Sequence, residues 1–248
     1  MVYYIRPHRI SGVIFLLFFF ILSACSSQKE LTGPSTPKDE KSIEKIVKSC
    51  KKHQGLFTLY QDTIKGKLYM EISKDQLNKE FIHFSQITNG PVEAGFHKGA
   101  YRGSRIFEIR RYFNDIQFAI KNTRYYFDSS SNLAKAADAN LNEPLIHTSE
   151  IEAKSDSSFL IEVDKLFLSE AFYRVKNSRG GPIKLGKLNS GMSHYYGIHN
   201  YPKNTDIAVN LVYHDDYPKS GSPGSIVDSR SINVSLRHSL VELPNNDY

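Results

Sequence analysis

From Leu56 onward the chain is a succession of short runs in which apolar and polar residues alternate with a period of two. The closing run, Arg230 to Leu243 (RSINVSLRHSLVEL), sends Ile232, Val234 and Leu236 to one side and Asn233, Ser235 and Arg237 to the other. Extended backbone points successive side chains to opposite faces, so this pattern predicts a strand with one dry and one wet face. Pro244, Asn245 and Asn246 mark a turn directly after it. Many such runs separated by turn residues favour an antiparallel sandwich or stacked antiparallel sheets, because a parallel α/β fold needs a helix at every crossover. The expected class is therefore mainly β, a β-rich α+β chain with a short N-terminal helix.

That helix is read from Ile43, Ile46, Val47 and Cys50, which follow helical spacing, with Ser42 placed to cap it and Gly55 to end it. LFTLYQ (Leu56 to Gln61) and KLYMEI (Lys67 to Ile72), joined around Lys65 and Gly66, predict a β-hairpin. One helical turn over Ser73 to Lys79 leads to a strand at FIHFSQI (Phe81 to Ile87). Gly90 to Arg105 spaces Gly90, Gly95, Gly99 and Gly103 through polar residues and reads as a long, mobile loop. A meander follows at RIFEIRRYF (Arg105 to Phe113), DIQFAI (Asp115 to Ile120) and TRYYF (Thr123 to Phe127). After a brief helix over Asn132 to Asn140, the strands of a second block are LIHTSEIEA, SFLIEV, SHYYGI, DIAVNLVYH and the closing run. The organisation expected is a leader over 1–24, a linker over 25–41, a helix and meander over 42–127 and a second β-rich block over 128–248, the last two compatible with one continuous domain. Fifteen Tyr and fifteen Phe with no Trp suit pleated surfaces.

The leader has a basic start (Arg6, His8, Arg9), an apolar run from Val13 to Leu22, and Leu22-Ser23-Ala24 before Cys25. The run is short for a spanning helix, and small residues before a cysteine are the pattern of a bacterial lipoprotein signal. Cys25 is therefore the expected lipidation site and the expected link to a membrane of the cell envelope, the outer membrane being favoured. Ser26 to Lys41 is rich in Ser, Thr, Pro and charge, and reads as a flexible linker. As a coil it would hold the folded body roughly 20 to 25 Å from the lipid.

Charge and motifs exclude more than they assign. The net charge is +6, part of it from Arg6 and Arg9 in the leader, and the basic residues are dispersed. A nucleic-acid partner is therefore not expected, and the local cluster Lys48, Lys51, Lys52 and His53 reads as a solvated helix face. With Cys25 lipidated, Cys50 has no disulfide partner within the chain and reads as a small buried residue on that helix. GPIKLGKL (Gly181 to Leu188) nearly fits a phosphate loop, but Leu188 stands where a hydroxyl must bind magnesium. No H-E-x-x-H or G-x-S-x-G motif is present. On a regular strand, His194 and His199 would face opposite ways. Glu162 and Asp164 would share a strand face. The remaining candidate for a metal is His214 with Asp215 and Asp216. No catalytic residue or cofactor is assigned.

Four ordered segments resemble the N-terminal region of a family of secreted or lipidated bacterial zinc-dependent metalloproteases. They are GLFTLYQDTIKGKLYMEI (Gly55 to Ile72), DSSFLIEVDKLF (Asp156 to Phe167), YPKNTDIAVNLVY (Tyr201 to Tyr213) and RSINVSLRHSLVELP (Arg230 to Pro244). The resemblance implies that relatives continue into a zinc-binding catalytic domain with an extended H-E-x-x-H-x-x-G-x-x-H motif, and that their front region is noncatalytic. This chain carries no residue matching that motif. The expectation is a lipid-anchored, noncatalytic envelope protein that works beside a separate or downstream peptidase domain, as a truncated product, a fragment or a stand-alone form. In that setting the closing strand would be a junction, with its outer edge or apolar face uncovered. The alternative is a stand-alone envelope module that holds a peptide or glycan with the Gly90 to Arg105 loop and surface Tyr residues.

Overall fold

The computed structural model describes residues 42–125, 127–128, 130–134, 136, 141–175, 183–218, 221–222 and 224–244. The leader, Cys25, the linker, Gly181 and the Asn245-Asn246 turn lie outside these residues, as do most of 135–140. In chain order the elements are α1 (Ile43–Val47), β1 (Cys50–His53), β2 (Thr58–Asp62), β3 (Leu68–Ser73), β4 (Glu80–Asn89), β5 (Tyr101–Tyr112), β6 (Asp115–Ile120), β7 (Leu145–Lys154), β8 (Ser158–Glu162), α2 (Asp164–Phe167), β9 (Lys187–Leu188), β10 (His194–Tyr201), β11 (Asn204–His214) and β12 (Ser231–Glu242). The protein is mainly β, as its alternation predicts. Its strands join into one continuous sheet in the order β1-β2-β3-β8-β7-β6-β5-β4-β12-β11-β10, with β9 on the far end of β11. Every neighbouring pair is antiparallel.

β12 lies between β11 and β4 and is paired along both sides. The expectation of an uncovered edge or apolar face is therefore corrected. Ile232, Val234, Leu236 and Leu240 face the main core and are fully or almost fully buried. Two early strands likewise wait for late partners, since β3 pairs β8 and β4 pairs β12. The strands before and after residue 128 thus interleave in one sheet.

One face of the sheet encloses the main core, in which Phe81, Phe107, Phe118, Leu211 and Leu236 take part. The chain after β8 turns into this space: Leu166 and Phe167 of α2, then Phe172 and Val175, are buried. Phe172 is the hub, with ring centroids 5.3 Å from Phe107, 5.8 Å from Phe167 and 4.2 Å from His83. The opposite face of the first strands is covered by α1, where Ile43 packs with Tyr60, Ala153 and Leu160, and Ile46, Val47 and Cys50 pack around them.

The two ends of the sheet meet in a latch. Leu56 N donates to Tyr201 O at 2.7 Å. Asn200 Nδ2 donates to His53 O at 2.9 Å and to Phe57 O at 2.6 Å. Thr205 Oγ1 donates to Asn200 Oδ1 at 2.6 Å and accepts from Phe57 N at 3.2 Å. Gly55 is required here by close approach: a Cβ at this position would lie 2.0 Å from Asn200 Oδ1.

Several local expectations change for identifiable reasons. The helix stops at Val47, and Cys50 to His53 become a strand because Leu59 to Asp62 offer them backbone partners. Cys50, Lys51 and Lys52 are therefore not on a helix, and Gly55 is not a helix stop. In this setting burial and then Asp62 push the Cys50 thiol above its usual range. Thr123 to Tyr125 form no strand, because β5 and β7 already occupy both sides of β6. The Gly90 to Arg105 loop is shorter than expected, since β5 begins at Tyr101. Glu162 ends β8, whereas Asp164 opens α2, accepting hydrogen bonds from Leu68 N at 2.9 Å and Tyr195 Oη at 3.0 Å.

A histidine pair spans the inner face between β4 and β12. His83 Nε2 and His238 Nδ1 are 2.9 Å apart, and both residues are 1% exposed. One ring must donate and the other accept, so the two rings cannot both be protonated. Burial lowers His83 to about 2, with His238 and Arg105 adding to the effect, and burial lowers His238 to about 4. Above the usual histidine range neither state holds these protons and the pair is neutral in its effect. Below about 6.5 the unfolded chain binds protons that the folded chain refuses, so stability falls as pH drops toward 4. Thermal melts from pH 7.5 to 4.5 should show this decline, and His238→Phe should flatten it; an unchanged slope would contradict the assignment.

Candidate functional site

The outer faces of β4, β12, β11 and β10 carry polar side chains, because the alternation that sends their apolar residues to the core sends Gln86, Thr88, Ser235, Arg237 and Asn210 outward. Together with the 96–100 loop they line a groove of about 810 Å³. This size falls within the usual range for a ligand site.

A β-bulge completes it. The pairing of β10 with β11 slips between Tyr195 and Gly197, adding one residue to β10. An extra residue reverses the facing of everything beyond it. His194 and Tyr196 on one side of the slip, and Gly197 and His199 on the other, therefore all line the groove. This corrects the expectation that His194 and His199 face opposite ways. Glycine within a strand is the sequence mark of such a bulge, and Gly197 was that mark.

Tyr196 is 50% exposed, and its hydroxyl is hydrogen-bonded to Thr88. β10 and β4 stand three places apart in the sheet order. Three spacings of about 4.8 Å exceed what one tyrosine spans on a flat sheet, so the face is dished under the ring.

The loop wall is fastened at several points. Gly99 N donates to Ile87 O at 2.8 Å, Ile87 N to Ala100 O at 2.9 Å, and Gln86 Nε2 to Gly99 O at 3.2 Å. Gly99 has φ +85°, a conformation that a side chain disfavours. Below it Phe96 is buried in the main core, and Arg102 lies over its ring at 5.6 Å while donating to Gly95 O. Glu93 accepts from Ser225 N at 3.0 Å, tying the wall to the loop before β12. On the floor, Ser235 Oγ donates to Asn210 Oδ1 at 3.1 Å, leaving the Asn210 amide nitrogen as a donor.

The charge around the groove has one sign. Lys98 and Arg237 are exposed, and neither has an ion-pair partner among the described residues. His194 and His199 add two imidazoles, and no lining residue is a carboxylate. The nearest acidic position in the register is Asp206, opposite His199 and outside the lining.

The other candidate residues do not assemble into a site. His214 Nε2 lies 3.0 Å from Asp216 Oδ1, while Asp215 Oδ1 accepts from Tyr217 N at 3.1 Å and so caps its own turn. Among the described residues, no three His, Cys, Asp or Glu gather as metal ligands. Leu188 of the near phosphate loop is a strand residue of β9 paired with Tyr213. Glu162 pairs with Lys67. A second cavity of about 500 Å³, lined by Leu56, Gln76, Lys79 and Glu242 among others, has mixed charge. Among the described residues no helix is long and apolar enough to cross a membrane.

Comparison with known families gives two matches. Residues 99–248 match a domain of unknown function (DUF5117), and residues 40–90 match a second domain of unknown function (DUF5118). No curated protein and no solved structure matches the chain. The boundary between the matches falls in the 90–100 loop, so both contribute to the groove: Gln86, Ile87, Thr88 and Asn89 come from the first part, and Asn210, Ser235 and Arg237 from the second.

Proposed function

The chain belongs to the family described as a domain of unknown function (DUF5117), and on that premise we propose that it is a noncatalytic, lipid-anchored binding protein of the bacterial cell envelope. Cys25 would carry the lipid, and the groove on β4, β12, β11 and β10 would hold the ligand. The observation that carries this reading is a fastened groove with two cations that have no ion-pair partner among the described residues, and a half-exposed tyrosine. Binding fits these residues, whose amide, hydroxyl, guanidinium and ammonium groups line an open groove as hydrogen-bond partners for a ligand.

The zinc-metalloprotease resemblance supplies the setting. Its four segments form the β2–β3 hairpin, β8 with α2, β11 and β12, and they include Asn210, Ser235 and Arg237 of the groove floor. In that setting the protein would correspond to the front region of a peptidase and would capture material for a catalytic domain on the same or another polypeptide. The stand-alone binding module is the alternative, and both use the same groove.

The full chain, supplied with zinc, is expected to cleave no peptide substrate in a chelator-sensitive way, yet to retain envelope material in a pull-down. Arg237→Met should reduce that retention. Cleavage abolished by chelation would overturn the noncatalytic reading, and retention indifferent to groove substitutions would remove the groove from it.

A further inference from the structure

The charge and hydrogen-bonding pattern of the groove point further than binding in general. We infer that its ligand is an anionic oligosaccharide, a short run of sugar rings bearing carboxylate or sulfate groups; this rests on the groove being the binding site.

The argument first fixes the charge. Lys98 on the wall and Arg237 on the floor flank the groove without a carboxylate between them. Fixed cations that lack a partner attract an anion, and a guanidinium binds a carboxylate or sulfate through two parallel hydrogen bonds. His194 and His199 line β10 beside them and add hydrogen-bonding ring nitrogens but no carboxylate.

The backbone then separates sugar from peptide. An extended peptide is held chiefly by main-chain hydrogen bonds to a free strand edge. Three of the four groove strands, β4, β12 and β11, are each flanked by a neighbour on both sides, so a peptide could add only along the outer edge of β10, away from Lys98 and Arg237. What the floor offers is side chains: the Asn210 amide, the Ser235 hydroxyl and the Arg237 guanidinium. Such groups suit a ligand rich in hydroxyls. Tyr196 adds a half-exposed ring whose position is fixed through Thr88, a surface on which the apolar face of a sugar ring can lie. Gly197 keeps the space beside it open, since even an added Cβ would approach only Ala208 and His199, at 3.5 and 3.9 Å.

The test is calorimetric titration of the full chain in detergent with three probes of similar length: an oligogalacturonide, a neutral oligogalactoside and an oligoglutamate. The oligogalacturonide should bind at least tenfold more tightly than either of the others. Arg237→Met and Lys98→Met should each weaken it roughly tenfold and reduce its salt dependence. Tyr196→Ala should weaken it comparably without changing the salt dependence. All three side chains are exposed, so unchanged melting temperatures will show that folding is intact. Equal binding of the neutral sugar, with the groove substitutions still damaging, would overturn the anionic specificity and leave the binding groove standing. Preference for the oligoglutamate would overturn the sugar assignment. Binding of the sugar that none of the three substitutions affects would overturn both the inference and the groove.

Discussion

A chain ended at Arg230 is expected to be unfolded, even though it keeps every other strand. β12 pairs with β11 over its whole length on one side and with β4 on the other. Its removal frees both neighbours' backbone groups and divides the sheet between β4 and β11. Ile232, Val234, Leu236 and Leu240 leave the core with it. Buried side chains of this size contribute about 1.5 to 3 kcal/mol each, so their loss alone removes about 6 to 12 kcal/mol, comparable with the whole stability of an ordinary domain. Circular dichroism and amide exchange should show no cooperative transition in the shortened chain. A cooperative melt would mean that the first eleven strands fold without the twelfth. The same topology predicts slow folding, because β4 must wait for a partner more than half the chain away.

The second large effect is expected at the latch between the sheet ends. Asn200→Ala removes the donor to His53 O and Phe57 O and the acceptor for Thr205 Oγ1. Leaving several part-buried polar groups without partners costs about 2 to 4 kcal/mol, which for a body of this size lowers the melting temperature by roughly 5 to 15 °C. Gly55→Ala should act in the same direction for a different reason, since its Cβ would lie 2.0 Å from Asn200 Oδ1 and 2.8 Å from Tyr201 N. The double variant should lose little more than the worse single one, because both break one connection. Additive losses would show that the two positions act separately.

The period-two pattern made strand existence and facing legible in the sequence. Residue for residue, Asp115 to Ile120 is both the predicted and the observed β6, and the alternation in β12 assigns its buried side correctly. What it could not reveal is which strands are neighbours. A strand near the end of the sequence has the same alternation whether it lies at a sheet's edge or its centre, so the pattern in β12 is silent on whether its edge and apolar face are covered. Cys50 to His53 illustrate the opposite limit, where a helical spacing was overridden by partners supplied from β2. The groove was half visible: the 90–105 loop and surface tyrosines were singled out, and Tyr196 and Lys98 belong to it. His194 and His199 were lost to a one-residue bulge, which changes facing without changing composition. Arg237 was legible as outward, but its lack of a carboxylate partner depends on four strands meeting in space.

The most direct test of the binding role is side-chain nuclear magnetic resonance of the Asn210 amide and the Arg237 guanidinium during titration of the full chain with the envelope material that it retains. Both signals should shift progressively and saturate together, while the ring signals of the buried His83 and His238 stay fixed. Saturable binding that leaves Asn210 and Arg237 unmoved would contradict the account.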